Sequence, residues 1–126
     1  MPTLACNNWP KKACTKRSHA RAIIQRILFL EGKPNLEKRD PLNIGKSIPD
    51  MLKSDLALEY HVVGSLKKAM AECEKAQDYV TRDMLLTQLD DTEMDHAYWL
   101  EQQLRLINLV GLENYLQSQM KSSGAV

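Results

Sequence analysis

The sequence predicts an all-α fold, and three observations lead there. Leu, Met, Ala, Gln, Glu and Lys dominate a chain with a single Phe and 6% aromatic residues, and straight side chains keep most of their rotamer freedom in a helix. Five Gly and five Pro among 126 residues leave room for long uninterrupted elements. From His19 onward the apolar residues recur in steps of three and four, the period of a helix face and not of a strand. The length fits one domain.

The elements follow in order. Residues 1–17 show no periodicity and are expected to form an unstructured basic arm. His19, Ile23, Ile27 and Leu30 line one face of a short helix that stops at Gly32, with Pro34 beyond it. Residues 33–46 are rich in Asn, Asp, Pro and Lys, long enough to carry the chain from one end of a bundle towards the other. Ser47 is the expected N-cap of the next helix, with Pro49 and Asp50 in its first turn. Its stripe is Leu52, Leu56, Glu59, Val63, Leu66, Met70 and Cys73, a rod of about 40 Å at ~1.5 Å per residue. A second long stripe starts near Asp78 and runs through Leu85, Leu89, Glu93, His96, Leu100, Leu104 and Ile107 up to Gly111. Residues 112–121 form a short amphipathic helix before a small-residue tail.

Charge and cysteine usage narrow the function. Lys and Arg total 17 against 16 Asp and Glu, a formal charge of +1. The balance conceals a division: residues 1–30 carry six basic side chains and no acid, while the remainder carries 11 basic and 16 acidic. A uniformly basic nucleic-acid module is excluded, and without a run of 18 apolar residues no membrane span is expected. Cys6, Cys14 and Cys73 lack metal-ligand spacing and leave an odd count, which predicts a reducing cytoplasm.

What needs explaining is polar residues on apolar stripes. His19, Glu59, Glu93 and His96 each have Leu, Ile or Val neighbours three or four positions away. A carboxylate on an inward face is costly to desolvate, and a divalent cation offsets that cost by pairing with it. Glu93 and His96 form Glu-x-x-His, which places a carboxylate and an imidazole side by side on an α-helical turn. Alone the motif also occurs on solvated, salt-bridged helices. Together the four residues fit the pattern of di-iron carboxylate bundles, in which Glu and Glu-x-x-His project inward from facing helices. His61, two positions from Glu59, points to another face and is expected at the surface.

At these residues the chain resembles the bacterioferritins. The resemblance is carried by His19-Ala20, residues 26–32 (RILFLEG), 34–36 (PNL), 42–45 (LNIG), 51–59 (MLKSDLALE), 78–84 (DYVTRDM), Glu93-x-x-His96, 99–101 (WLE) and 111–117 (GLENYLQ). It covers about four fifths of the chain and implies a ferritin-like domain over 18–122, with a tail at 123–126. The implied fold is a ferritin-like four-helix bundle with a short fifth helix, here lacking the first helix and part of the second. The implied activity is that of a ferroxidase, oxidising Fe(II) with oxygen at a dinuclear iron centre and depositing mineral inside a 24-subunit shell. Its iron ligands in this chain are His19, Glu59, Glu93 and His96.

The resemblance also marks departures. Lys16 stands where the family has a Glu ligand and Arg17 where it has the haem methionine; a third ligand, from the missing helix, has no counterpart. Four of six iron ligands and two of four carboxylates are therefore present, which weakens the attraction that offsets repulsion between two Fe(II) ions. Haem b, held between paired subunits in the family, finds no ligand in Arg17, whose guanidinium has no free lone pair. A bundle short of one and a half helices also exposes Leu and Ile side chains, at roughly 1.5–3 kcal/mol each. Three roles follow as expectations: an iron-storing homo-oligomer, a non-catalytic subunit beside a full-length bacterioferritin, or a remnant without activity.

Overall fold

The computed structural model describes residues 11–123, with side chains described for 14–120. The elements are α1 (Lys11–Phe29), α2 (Ile48–Lys75), α3 (Tyr79–Asp90), a π-helical segment (Asp91–Ala97), α4 (Tyr98–Val110) and α5 (Leu112–Ser123). All regular structure among the described residues is helical, in agreement with the sequence. The backbone stays in the right-handed helical region through Asp90, Asp91, Ala97 and Tyr98, so α3, the π segment and α4 form one continuous rod.

Two boundaries match their local chemistry directly. Ser47 caps α2, its side chain accepting from the Asp50 N–H at 3.3 Å. Gly111 (φ 82°) ends α4, and its N–H donates to Ile107 O at 2.9 Å.

The first helix differs from expectation. Residues 11–17, assigned to an unstructured arm, are the opening turns of α1; residues 1–10 lie outside the described residues. No Gly or Pro interrupts residues 11–31, and Lys, Arg and Ala propagate a helix once it is nucleated. Lys16 is also tied to Glu59 of α2.

The C-termini of α1 and α2 share one geometry without glycine at its centre. Glu31 (φ 62°) and Gln77 (φ 56°) adopt the left-handed conformation. Gly32 N–H then reaches Ile27 O at 2.8 Å and Asp78 N–H reaches Cys73 O at 2.9 Å, satisfying carbonyls the helices would otherwise leave open. Gly32 thus serves one position later than the sequence suggested.

The rods align as antiparallel neighbours. α2 runs back along α3–α4, pairing Tyr60 with Glu101 (2.6 Å) and Lys67 with Glu93 (3.0 Å). α1 is antiparallel to α3, held by Arg26 to Thr81 (2.8 Å) and Asp78 (3.3 Å) at one end and His19 to Asp91 (2.9 Å) at the other. α1 and α2 are therefore parallel, and residues 30–47 make the crossover that their length suggested. Gly45 lies so close to the start of α2 that a Cβ would collide with the Met51 backbone N.

The apolar core is thin. Leu66, Leu85 and Leu89 form its centre, with Ile23, Val62, Val63, Met70, Cys73 and Met84 packed against it. Tyr115 seats α5, its hydroxyl donating to Gln103 Oε1 at 2.8 Å. Leu42 and Ile44 in the crossover, and Val80 and Leu109 on the outer faces of their helices, remain exposed.

Candidate metal site

Lys16 and His19 lie one turn apart on α1, Glu59 on α2, and Gln88, Thr92 and His96 on the third rod. These six side chains, with Ala20, Ile23, Val62 and Leu66, line a cavity of about 230 Å³. Steps of four and three from the Leu66 core along α2 set the depth: Val62 comes next, and Glu59 follows at the same face, 4% exposed.

Glu59 divides its two oxygens. Oε1 accepts from the Lys16 ammonium. Oε2 faces His96 Nδ1 at 3.8 Å, and neither of these buried atoms has a hydrogen-bond partner. On the other side of the His96 ring, Nε2 lies 4.0 Å from Asp95 Oδ2. His19 is engaged separately: its Nε2 sits 2.9 Å from Asp91 Oδ2, and its backbone carbonyl accepts from Gln88 Nε2 at 3.1 Å. Thr92 Oγ1 donates to Gln88 O at 2.8 Å.

Of the four residues singled out in the sequence, three reach this cavity. Glu93 does not. It is half exposed and pairs with Lys67 on the outer side of α2. The π segment is the physical reason: in an α-helix residues three apart lie about 60° apart around the axis, but i→i+5 bonding widens the turn and separates Glu93 from His96. The buried position goes to Thr92, 3% exposed. Asp91, the partner of His19, was not foreseen, because no α-helical face contains both Asp91 and the Leu85–Leu89 stripe. His61 is exposed, as its offset from Glu59 predicted.

Two tests of fit bear on metal. Among the described residues no group of three or more His, Cys, Asp or Glu is arranged to hold an ion. A single divalent ion is another matter. Bonds of about 2.1 Å to a carboxylate oxygen and an imidazole nitrogen at a tetrahedral angle put the two donors roughly 3.4 Å apart, so the two orphaned atoms, at 3.8 Å, meet one ion after closing by a few tenths of an ångström. Cys73 is not among the residues lining this cavity; it packs against the Leu66–Leu85–Leu89 core.

Comparison with known proteins places this geometry. A family described as ferritin-like domain matches residues 8–110. The chain is 59% identical over 103 residues to a bacterial ferritin of Synechocystis sp., covering 82% of this chain and 66% of that protein. It is 56% identical over 102 residues to a bacterial ferritin of Pseudomonas aeruginosa, with 81% and 66% covered. A bacterioferritin of Brucella melitensis is 40% identical over 99 residues, with 79% and 61% covered. The chain thus spans just under two thirds of the length of these relatives. No helix among the described residues is long and apolar enough to cross a membrane. With a family match over most of its length and these identities, the chain belongs to the ferritin-like domain family and is of bacterioferritin type.

Proposed function

We propose that the chain serves iron storage and detoxification in the cytoplasm. Fe(II) enters as substrate at the Glu59–His96 position, with His19 on the facing wall; four Fe(II) ions give one electron each to one dioxygen, and with six waters this yields four Fe(III) oxyhydroxide units and eight protons, the mineral being laid down inside a hollow shell of subunits. The observation that carries this reading is the pair of buried, unpartnered donors, Glu59 Oε2 and His96 Nδ1, facing one cavity at a distance one ion can bridge. Names of the relatives support the iron-storage role. Family resemblance adds a dinuclear centre and a 24-subunit assembly. Among the described residues, Glu59 and His96 offer donors for one ion, and a second iron in the reading draws on further donors. Arg17 occupies the position of the haem methionine, and a guanidinium cannot ligate iron, so this chain brings no haem ligand at that position.

Oxygen uptake on addition of Fe(II) tests the reading. It should fall sharply in Glu59→Ala; unchanged turnover in that variant removes Glu59 from the site and the reading with it.

A second reading is favoured by the exposed Leu42, Ile44, Val80 and Leu109. The chain then acts as a non-catalytic subunit beside a full-length bacterioferritin, which covers the apolar faces. It predicts co-purification with a longer relative on co-expression. A discrete iron-storing homo-oligomer from a host without ferritins would count against it.

A further inference from the structure

We propose that Lys16 is a tethered cation that competes with the metal ion for Glu59, so that metal binding requires Lys16 to leave the cavity. The inference rests on Glu59 and His96 being metal donors, and concerns what controls access to them.

The geometry carries the argument in three steps. Glu59 is the deepest carboxylate of the site, with a side chain 6% exposed, and a buried carboxylate needs a compensating charge. Lys16 supplies it, through a direct contact to Oε1 from an adjacent helix. A divalent ion bonded to Glu59 and His96 would bring two positive charges beside that ammonium in a water-poor cavity, where like charges repel strongly. Both cations cannot remain on one carboxylate.

Lys16 is also built to move. Its side chain is 45% exposed, so its stem already reaches the surface, and four methylenes let the ammonium rotate into water without displacing α1. His96 cannot move in this way, being 3% exposed. Glu59 is likewise fixed by its depth. The site therefore has two static donors and one mobile counter-charge, the arrangement of a self-closed cation position.

The other polar groups around the cavity do not duplicate the role of Lys16. Gln88 is occupied with His19 O and Thr92 with Gln88 O. Asp91 faces His19. Glu93 and Lys67 satisfy each other outside the cavity.

Zn(II), which undergoes no redox change, is the probe. It is titrated by calorimetry into the full chain, into Lys16→Gln, which keeps a neutral donor for Glu59, and into Lys16→Met. Each is repeated with Glu59→Gln added. The expected result is a Glu59-dependent site whose affinity rises about tenfold or more in both Lys16 variants, the effect of removing a charge-assisted hydrogen bond that competes with the metal. In the unsubstituted chain, Lys16 should become several-fold more reactive towards an amine-directed reagent when Zn(II) is bound, which tests the proposal even if a variant fails to fold. Glu59-dependent binding of equal affinity in all three chains, with no change in Lys16 reactivity, overturns the proposal while leaving the metal reading intact. Absence of any Glu59-dependent binding overturns the metal reading and the proposal together.

Discussion

His96 Nδ1 faces Glu59 Oε2 across 3.8 Å, and both atoms are buried without a hydrogen-bond partner. Buried donors and acceptors are nearly always satisfied, and leaving one open costs about 1–3 kcal/mol. The two orphans stand next to an ion pair, Lys16 with Glu59 Oε1. Lys16 balances the charge of Glu59 through one oxygen, and the other oxygen is left without a hydrogen bond.

This asymmetry makes the two partners unequal. Lys16→Met leaves a carboxylate buried with no cation and should lower unfolding free energy by about 2–3 kcal/mol. Glu59→Gln releases Lys16, already 45% exposed, to water and should cost only about 1 kcal/mol. Urea denaturation of both variants checks the order; a larger loss in Glu59→Gln would mean that Lys16 is held by something other than Glu59.

The π segment determines which side chains enter the cavity. Glu93→Ala removes only a half-exposed pair with Lys67 and should change stability by less than about 0.5 kcal/mol, with Zn(II) affinity unaltered. Deleting Thr92 removes the extra residue of the wide turn and should place Glu93 in the buried position that Thr92 occupies. Zn(II) affinity should then rise, and do so only while Glu93 is present. A rise that persists in the Glu93→Ala form of the deletion would refute this account of the turn.

Gln77 ends α2 in a left-handed conformation (φ 56°) that costs an L-residue about 1–2 kcal/mol. Part of this is recovered by glycine, at the expense of a freer unfolded chain. Gln77→Gly should stabilise the protein by roughly 0.5–1 kcal/mol in urea denaturation, whereas Gln77→Val should destabilise it.

Asp78 joins α1 to the start of α3. Its carboxylate accepts from Thr81 Oγ1 and N and faces Arg26, and these bonds, Thr81 first, hold it below the ordinary carboxylate value of 3.8. A depressed folded-state value contributes stability above the ordinary value and loses it as the pH falls through the folded one. Asp78→Asn should therefore lower the melting temperature at neutral pH, with the difference closing below pH 3.8. A difference that persists in acid would assign the effect to capping geometry and not to charge.

Much of this architecture was legible from side-chain spacing. The stripe from Leu52 to Cys73 describes α2 faithfully, with Glu59 and Leu66 its buried members, because a regular α-helix keeps one face for residues three and four apart. The same rule failed at Glu93, since the stripe assumes 3.6 residues per turn and nothing in the tripeptide Asp91-Thr92-Glu93 announces a wider one. Lys16 could be placed near the site by counting one turn back from His19. That it would bond Glu59, and that Asp91 would take His19, depended on how two helices approach, which spacing along one helix does not encode. The opening turns of α1 were missed because a basic segment without an apolar stripe reads as solvated chain, although its residues are good helix formers.

Size-exclusion chromatography with multi-angle scattering, run on the purified chain after loading with Fe(II) in air and followed for protein-bound iron, tests the iron-storage account most directly. The account predicts a large, iron-filled particle in the unsubstituted chain and a particle of the same size with much less iron in Glu59→Gln. Small, iron-free species, or equal iron in both chains, would contradict it.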